Sequence, residues 1–130
     1  MAEAFLKREC MSDCVIESAG LEAAVINPVV IEAMREKGID LSQKSTQSVE
    51  QVIASGKQFT DVITVCDDAA AERCPFIPGA QTREHWSLPD PSAFVGTAEE
   101  RLEGTRKVRD EIERRVLQWC AANCGSLVRA

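Results

Sequence analysis

The chain has 130 residues, a length typical of one domain, and its 45% of apolar residues is enough to form a core. The formal net charge of −6 excludes nucleic acid as a main partner, because binding to phosphates needs a basic surface. No apolar run approaches the roughly 18 residues that cross a bilayer, and the first residues lack the layout of a signal peptide. We therefore expect a single domain, 1–130, in the cytoplasm and away from membranes.

The N-terminal part of the chain predicts a helix and then a short strand. In "MAEAFLKREC", 1–10, apolar residues share one face and most residues are good helix formers. The stretch "CVIESAG", 14–20, has the pattern of a short strand that ends at a glycine. The next helix has clear boundaries, since Asn27 can cap it, Pro28 suits its first position and Gly38 can end it.

A short helix, "VEQVIA" at 49–54, precedes two predicted strands. The run "DVITVC", 61–66, is mostly apolar and β-branched, which is the pattern of a strand covered on both faces in a parallel sheet. A weaker strand candidate is "REHWSL", 83–88, which "PDP" at 89–91 interrupts. Strands that alternate with helices predict an α/β fold with a parallel sheet.

A long helix is predicted from Thr97 to about Asn123. Thr97 and Glu100 have the spacing of a capping box. The apolar residues that follow recur at three- and four-residue steps: Leu102, Thr105, Val108, Ile112, Val116 and Trp119.

Two cysteines, Cys66 and Cys74, are candidates for a functional site. Cys66 ends the best predicted strand, and ligands of open α/β sheets lie beyond the C-terminal ends of strands. Cys74 follows in an acidic loop that can bend enough to bring the two Cα atoms within the roughly 7 Å that a disulfide needs. The alternatives are buried small side chains or zinc ligands. Zinc is disfavoured because the chain has no close cysteine or histidine clip and His85 is its one histidine.

The other four cysteines form two C-x₃-C pairs, Cys10 with Cys14 and Cys120 with Cys124. On helices this spacing puts two thiols one turn apart on one face. We favour core-facing or surface thiols without a role for both pairs, although a redox role for the second pair stays open.

Asp90 is a candidate proton donor. Prolines on both sides of it hold the backbone extended, and a carboxyl held rigidly beside a strand end suits proton transfer. The alternative is a solvated aspartate in a turn. His85 and Trp86 are expected to pack rather than to act in catalysis.

The chain resembles the thioredoxin-coupled arsenate reductases of the low-molecular-weight tyrosine phosphatase superfamily, because its motifs follow one another in the order of that family. The resemblance covers nearly the whole chain and is most specific from Cys66 through "EHW" to "DP". The matching segments are "MAEAF" (1–5), "ESAG" (17–20), "NP" (27–28), "EKGID" (36–40), "VITVCDDA" (62–69), "CP" (74–75), "REHW" (83–86), "DP" (90–91) and "RKVRDEI" (106–112).

The resemblance implies a three-layer sandwich around a parallel sheet of order 2-1-3-4. It also implies reduction of arsenate to arsenite by a relay of cysteines. In the family a C-x₅-R loop binds the oxyanion, and its cysteine attacks arsenic. Cys66 matches the cysteine that attacks next, Cys74 matches the one that leaves a surface disulfide for thioredoxin, and Asp90 matches the acid. The resemblance implies no cofactor, and we expect a monomer.

This chain contains no C-x₅-R motif. The positions six residues after its six cysteines hold Ile16, Gly20, Glu72, Ala80, Ser126 and Ala130. The family places the loop directly ahead of the "MAE" with which this chain begins, so the first strand and the loop are expected to be missing. Three explanations for the missing loop compete. The first is a late start site or a truncated gene, the second is a degenerate copy, and the third is a separate chain that supplies the loop. We favour the first.

As written, the polypeptide is therefore expected to be inactive as an arsenate reductase. Two alternatives remain open: a non-catalytic remnant that binds thioredoxin through its thiols, and a hydrolase like the tyrosine phosphatases. The hydrolase would need the same missing loop and would give no role to Cys66 and Cys74.

Some members of the family also have a potassium site. The matching positions are Glu3, Ser18, Ser45 and Gln47. Because Gln47 stands where the family has a carboxylate, and because the ligand from the loop is absent, no bound metal ion is expected.

Overall fold

The structure is a computed structural model, and it describes residues 1–10, 16–20, 26–57, 59–66 and 79–122. Its helices are α1 (Ala2–Glu9), α2 (Pro28–Arg35), α3 (Val49–Ala54) and α4 (Ala98–Ala122). Its strands are β1 (Asp61–Cys66) and β2 (Thr82–Ser87), and a 3-10 turn, Pro91–Ala93, follows β2.

The local signals that predicted α2 act as expected. The Asn27 side chain accepts a hydrogen bond from the Val29 amide at 3.0 Å, and Pro28 is the first helical residue. After the helix, Gly38 has a φ of +77°, a left-handed conformation that glycine adopts without steric cost. The short helix predicted around 49–54 forms as α3.

β1 and β2 pair directly and in parallel, which confirms the predicted α/β fold with a parallel sheet. The register runs from Asp61 opposite Thr82 to Cys66 opposite Ser87. The residues of β1 from 62 to 65 are half-buried, not fully covered as the apolar pattern predicted. The weaker strand candidate also forms, and it begins one residue earlier than predicted.

The strand predicted over 14–20 does not form in the described part of that segment. Residues 16–19 have no regular structure, and Gly20 makes one isolated parallel bridge with Ser48. The bridge consists of Gly20 N–H to Gln47 O at 3.0 Å and Val49 N–H to Gly20 O at 2.8 Å. Residues 14 and 15 lie outside the described residues.

α4 packs against both α1 and α2 and supplies one side of the core. Its predicted apolar face is confirmed: Thr105, Val108, Ile112 and Val116 are buried, and Leu102 and Trp119 are half-buried. The core cluster adds Phe5, Met34, Leu41, Trp86 and Leu88. The face of α4 that points away from the core is charged.

Among the described residues, no helix is long and apolar enough to cross a bilayer.

A buried arginine ties α4 to the end of α2. Arg109 is 7% exposed and donates to the Ala33 carbonyl at 2.9 Å and to the Glu36 carboxylate at 2.7 Å. A buried guanidinium needs such partners, because an unpaired charge in the interior is costly.

A disulfide joins Cys10, directly after α1, to Cys120 near the end of α4. Both residues are buried, and their Cα atoms lie 5.4 Å apart. Both face the core, as one of the expected positions had it. The expectation of thiols without a role is wrong for these two cysteines, because they covalently link the two helices. Cys14 and Cys124 lie outside the described residues.

Candidate active site

The parallel register brings two of the predicted site residues to one edge of the sheet. Cys66 is the last residue of β1, and its partner Ser87 is the last residue of β2. Asp90 follows Ser87 by three positions. The C-terminal edge of a parallel sheet is where ligands of open α/β folds bind. Cys74 lies outside the described residues.

Asp90 is exposed and holds the start of the 3-10 turn. Its carboxylate accepts a hydrogen bond from the Ser92 amide at 2.9 Å, and its carbonyl accepts one from Ala93 at 3.0 Å. This cap fixes one carboxylate oxygen, Oδ1, while the side chain as a whole stays open to solvent. Such a carboxylate can take up and deliver a proton at the edge of the sheet.

Packing on both sides fixes the backbone that carries Asp90. Leu88 is 7% exposed and belongs to the core. Phe94, half-buried, lies against Gly104 of α4, where an added Cβ would meet its ring carbons at 3.0 Å. The segment is therefore anchored before and after Asp90.

Of the three residues of "EHW", Trp86 is buried and Glu84 and His85 are exposed. Trp86 is buried, as expected for a packing residue, and its indole N–H donates to Glu84 at 3.1 Å. His85 is exposed, contrary to the packing expected for it, and its Nδ1 lies 2.8 Å from Thr64 Oγ1. The pair joins β1 to β2 on one face of the sheet, because Thr64 and His85 are partners in the register.

A second polar cluster surrounds Glu3, whose side chain is 8% exposed. The Lys44 ammonium lies 2.5 Å from one of its carboxylate oxygens, and the Ser18 hydroxyl donates to the other at 2.9 Å. Burial acts to raise the pKa of Glu3, but the hydrogen bonds from Lys44 and Ser18 outweigh it and hold the pKa below its ordinary value. Glu3 is therefore a carboxylate at neutral pH.

The residues of this cluster do not fit a potassium ion. The Lys44 ammonium already contacts Glu3, and the Gln47 amide donates to the Ser18 carbonyl at 3.0 Å. A cation site needs oxygen atoms that face the ion, and here positive charge and N–H groups face them. Within the described ranges, no group of three or more His, Cys, Asp or Glu residues is placed to hold a metal.

Two features were not predicted from the sequence: the disulfide between Cys10 and Cys120, and the contact between Lys44 and Glu3. The disulfide partner Cys120 lies four and eight residues after Val116 and Ile112, so its position on the buried face of the long helix was readable. The contact between Lys44 and Glu3 had no such signal, since it depends on how distant segments pack.

Fold and sequence together place the chain in a class of enzymes. It matches the family described as low molecular weight phosphotyrosine protein phosphatase over residues 1–126, and it belongs to that family. This confirms the expected superfamily.

Its similar relatives are named arsenate reductases. The one from Bacillus licheniformis is 40% identical over 119 residues, which cover 92% of this chain and 84% of the relative. The one from Bacillus subtilis strain 168 is 37% identical over the same shares. A solved structure described as an arsenate reductase in oxidized state matches with a TM-score of 0.74 at 29% identity, covering 93% of this chain and 86% of that one.

Proposed function

We propose that this chain serves in the reduction of arsenate to arsenite through a cysteine relay. The observation that carries the proposal is its similarity to arsenate reductases over more than nine-tenths of its length. In this proposal arsenate is the substrate and thioredoxin the reductant. The protein works in the cytoplasm as a monomer, and residues 1–130 act as one domain.

The proposed relay passes one disulfide outward. A thiolate in a C-x₅-R loop attacks arsenate, and Asp90 donates a proton to the oxygen that leaves. The Cys66 thiolate then attacks that first sulfur, so a disulfide forms, and arsenic leaves as arsenite with the electron pair of the broken sulfur–arsenic bond. Cys74 attacks Cys66, which frees the first thiol, and two thiols of thioredoxin reduce the resulting bond.

The described geometry supports the placement of Cys66 and Asp90. Their backbones lie at the same edge of the sheet, where the register sets the last residues of β1 and β2 side by side. The anchors Leu88 and Phe94 hold the aspartate segment there. Cys74 enters the proposal from the resemblance alone.

We further propose that the 130 residues do not reduce arsenate by themselves, because none of their cysteines opens a C-x₅-R motif. The test joins a C-x₅-R segment from a Bacillus relative in front of Met1. Arsenate-dependent NADPH oxidation, coupled through thioredoxin and its reductase, is expected from the extended chain and not from the 130 residues. Turnover by the 130 residues would refute this part of the proposal.

The order of the two thiols is tested in the extended chain. Cys66→Ser should abolish arsenite release even in a single turnover. Cys74→Ser should release up to one arsenite per enzyme and then stop, because thioredoxin has no accessible disulfide to reduce. The matched control, Cys124→Ser, should retain turnover. Full steady-state turnover by either relay variant would overturn the assignment.

The acid is tested in the same assay. Asp90→Asn should lower the rate of arsenite release roughly 10²- to 10⁴-fold, the usual range for loss of a general acid. Asn keeps an oxygen that can cap the 3-10 turn, so the fold should be preserved. An unchanged rate would remove Asp90 from the mechanism.

A further inference from the structure

The disulfide between Cys10 and Cys120 is enclosed by the core. Cys10 is 2% exposed and Cys120 is 5% exposed, and both belong to the core cluster that includes Phe5 and Val116. Thiol–disulfide exchange needs a thiolate that reaches one of the two sulfur atoms. A dithiol reductant therefore cannot attack this bond until part of the fold moves aside.

The element beside the bond that moves most easily is α1. It has eight residues, fewer than the roughly 12 to 15 that an isolated helix needs to be stable in water. α4 has 25 residues, and Val116, one turn before Cys120, is fully buried. α1 therefore depends on its contacts with α4, whereas α4 is also held by α2.

An ion pair fastens α1 to α4 close to the disulfide. Arg8 donates to the Glu113 carboxylate at 2.6 Å, and its guanidinium lies 5.1 Å from the centroid of the Phe5 ring. Glu113 lies two helical turns before Cys120, and it also accepts a hydrogen bond from Lys37 at 3.1 Å. Burial acts to raise the pKa of Glu113, but the hydrogen bonds from Arg8 and Lys37 outweigh it and hold the pKa below its ordinary value. The ion pair is therefore intact at neutral pH.

We propose that α1 is the gate of a redox-active disulfide: the Cys10–Cys120 bond is reduced by a dithiol only when α1 separates from α4, and its reduction then loosens α1. One thiolate of the reductant attacks a sulfur of the bond and forms a mixed disulfide, and the other protein sulfur leaves as a thiolate that takes up a proton. The second thiol of the reductant, after losing its proton, displaces the remaining protein sulfur. The products are two protein thiols and one reductant disulfide. The gate needs no arsenate, so it can be tested apart from the proposed relay.

The first test measures how fast dithiothreitol reduces the bond at pH 7 in the full chain with its other four cysteines changed to serine. Free thiols are alkylated at intervals and counted by mass spectrometry. Reduction should be about 10²-fold or more slower in the folded chain than in urea, because the bond is protected until the fold opens locally. Equal rates in the two states would refute the gate.

The ion pair is tested in the same assay. Arg8→Gln should speed reduction of the folded chain about 3-fold or more, because α1 then separates from α4 more often. Glu113→Gln removes the same ion pair from the side of α4 and should have a similar effect. Unchanged rates in both variants would remove the ion pair, and with it the separation of α1, from the proposal.

A matched control distinguishes separation of α1 from unfolding of the whole chain. Thr97→Ala removes the cap at the other end of α4, roughly 35 Å along the helix from Cys120 at 1.5 Å per residue. It weakens the fold as a whole but leaves the contacts of α1 in place, so the reduction rate should not change. Acceleration equal to that of Arg8→Gln would show that only global unfolding exposes the bond, and the gate would be rejected.

The effect of reduction on α1 is measured by amide hydrogen exchange. Reduction should increase the exchange rate in Ala2–Glu9 at least about 10-fold more than the exchange rate in α2, which Arg109 ties to α4. An equal increase in both helices would mean that the bond stabilises the fold as a whole and does not hold α1 in particular. That result would overturn the proposal.

Discussion

Glu36, directly after α2, faces two arginines of α4. Arg106 donates to it at 2.6 Å and Arg109 at 2.7 Å. Hydrogen bonds from Arg106, and then from Arg109, lower the pKa of Glu36 from its ordinary 4.5 to about 2. Because the charged form is favoured in the folded state, the contact links stability to pH.

The sign of this dependence follows from the lowered pKa. Glu36 should stabilise the fold fully above pH 4.5, its ordinary pKa, and lose that contribution as pH falls toward about 2. Glu36→Gln should therefore have a lower urea midpoint than the native chain at pH 7. The two midpoints should converge as the pH approaches 2. A constant difference across this range would show that ionisation of Glu36 does not stabilise the fold.

The roles of single residues that interact with adjacent backbone groups were predictable from the sequence. Asn27 caps α2 and Pro28 begins it, because both effects depend on adjacent backbone groups. Glu36 and Glu3 gave no comparable signal. Their partners lie far away in the sequence, and only packing brings them together.

The start of α4 is set by a local N-cap that can be read from the sequence. The Thr97 hydroxyl accepts a hydrogen bond from the Glu100 amide at 3.1 Å and donates to the Glu100 carboxylate at 3.2 Å. Before it, Gly96 has a φ of +111°, and an added Cβ would meet the Glu100 carboxylate at 2.8 Å. The helix therefore begins where the Glu100 amide, one of its first free amides, finds a partner in the Thr97 side chain.

Thr97→Ala removes this cap and should cost about 1 kcal/mol of unfolding free energy, the usual value for a lost N-cap. The expected loss is measured by urea unfolding monitored by circular dichroism. Thr46→Ala, at an exposed loop position, is the matched control and should change stability by less than about 0.5 kcal/mol. Equal losses in both variants would mean that the cap does not contribute.

Strands were harder to predict than helices. β1 is apolar enough to identify from its own residues. The strand predicted over 14–20 was wrong for residues 16–19, since among the described residues of that segment only Gly20 pairs. A short apolar run becomes a strand only where a partner edge is available, which its sequence does not record. β2, with its charged residues, forms because β1 pairs with it along its whole length.

At the scale of the whole molecule, alternation of helices and strands was enough to predict the fold class and the edge that holds Cys66 and Asp90. The link between Cys10 and Cys120 was not predictable, because the spacing paired each with its near neighbour. The disulfide closes a sequence separation of 110 residues, and it fastens the helix nearest Met1 to the helix that ends the described chain.

Loss of this disulfide should destabilise the whole chain. For a loop of about 100 residues, the restriction of the unfolded chain contributes up to about 4.7 kcal/mol, and strain or residual structure reduces it. We expect Cys10→Ala with Cys120→Ala to lose about 3–5 kcal/mol in urea unfolding. Dithiothreitol should bring the native chain close to that value. The double variant is its own control, because any remaining effect of the reductant on it must come from other cysteines. If reductant shifts both proteins equally, the Cys10–Cys120 link does not stabilise the fold.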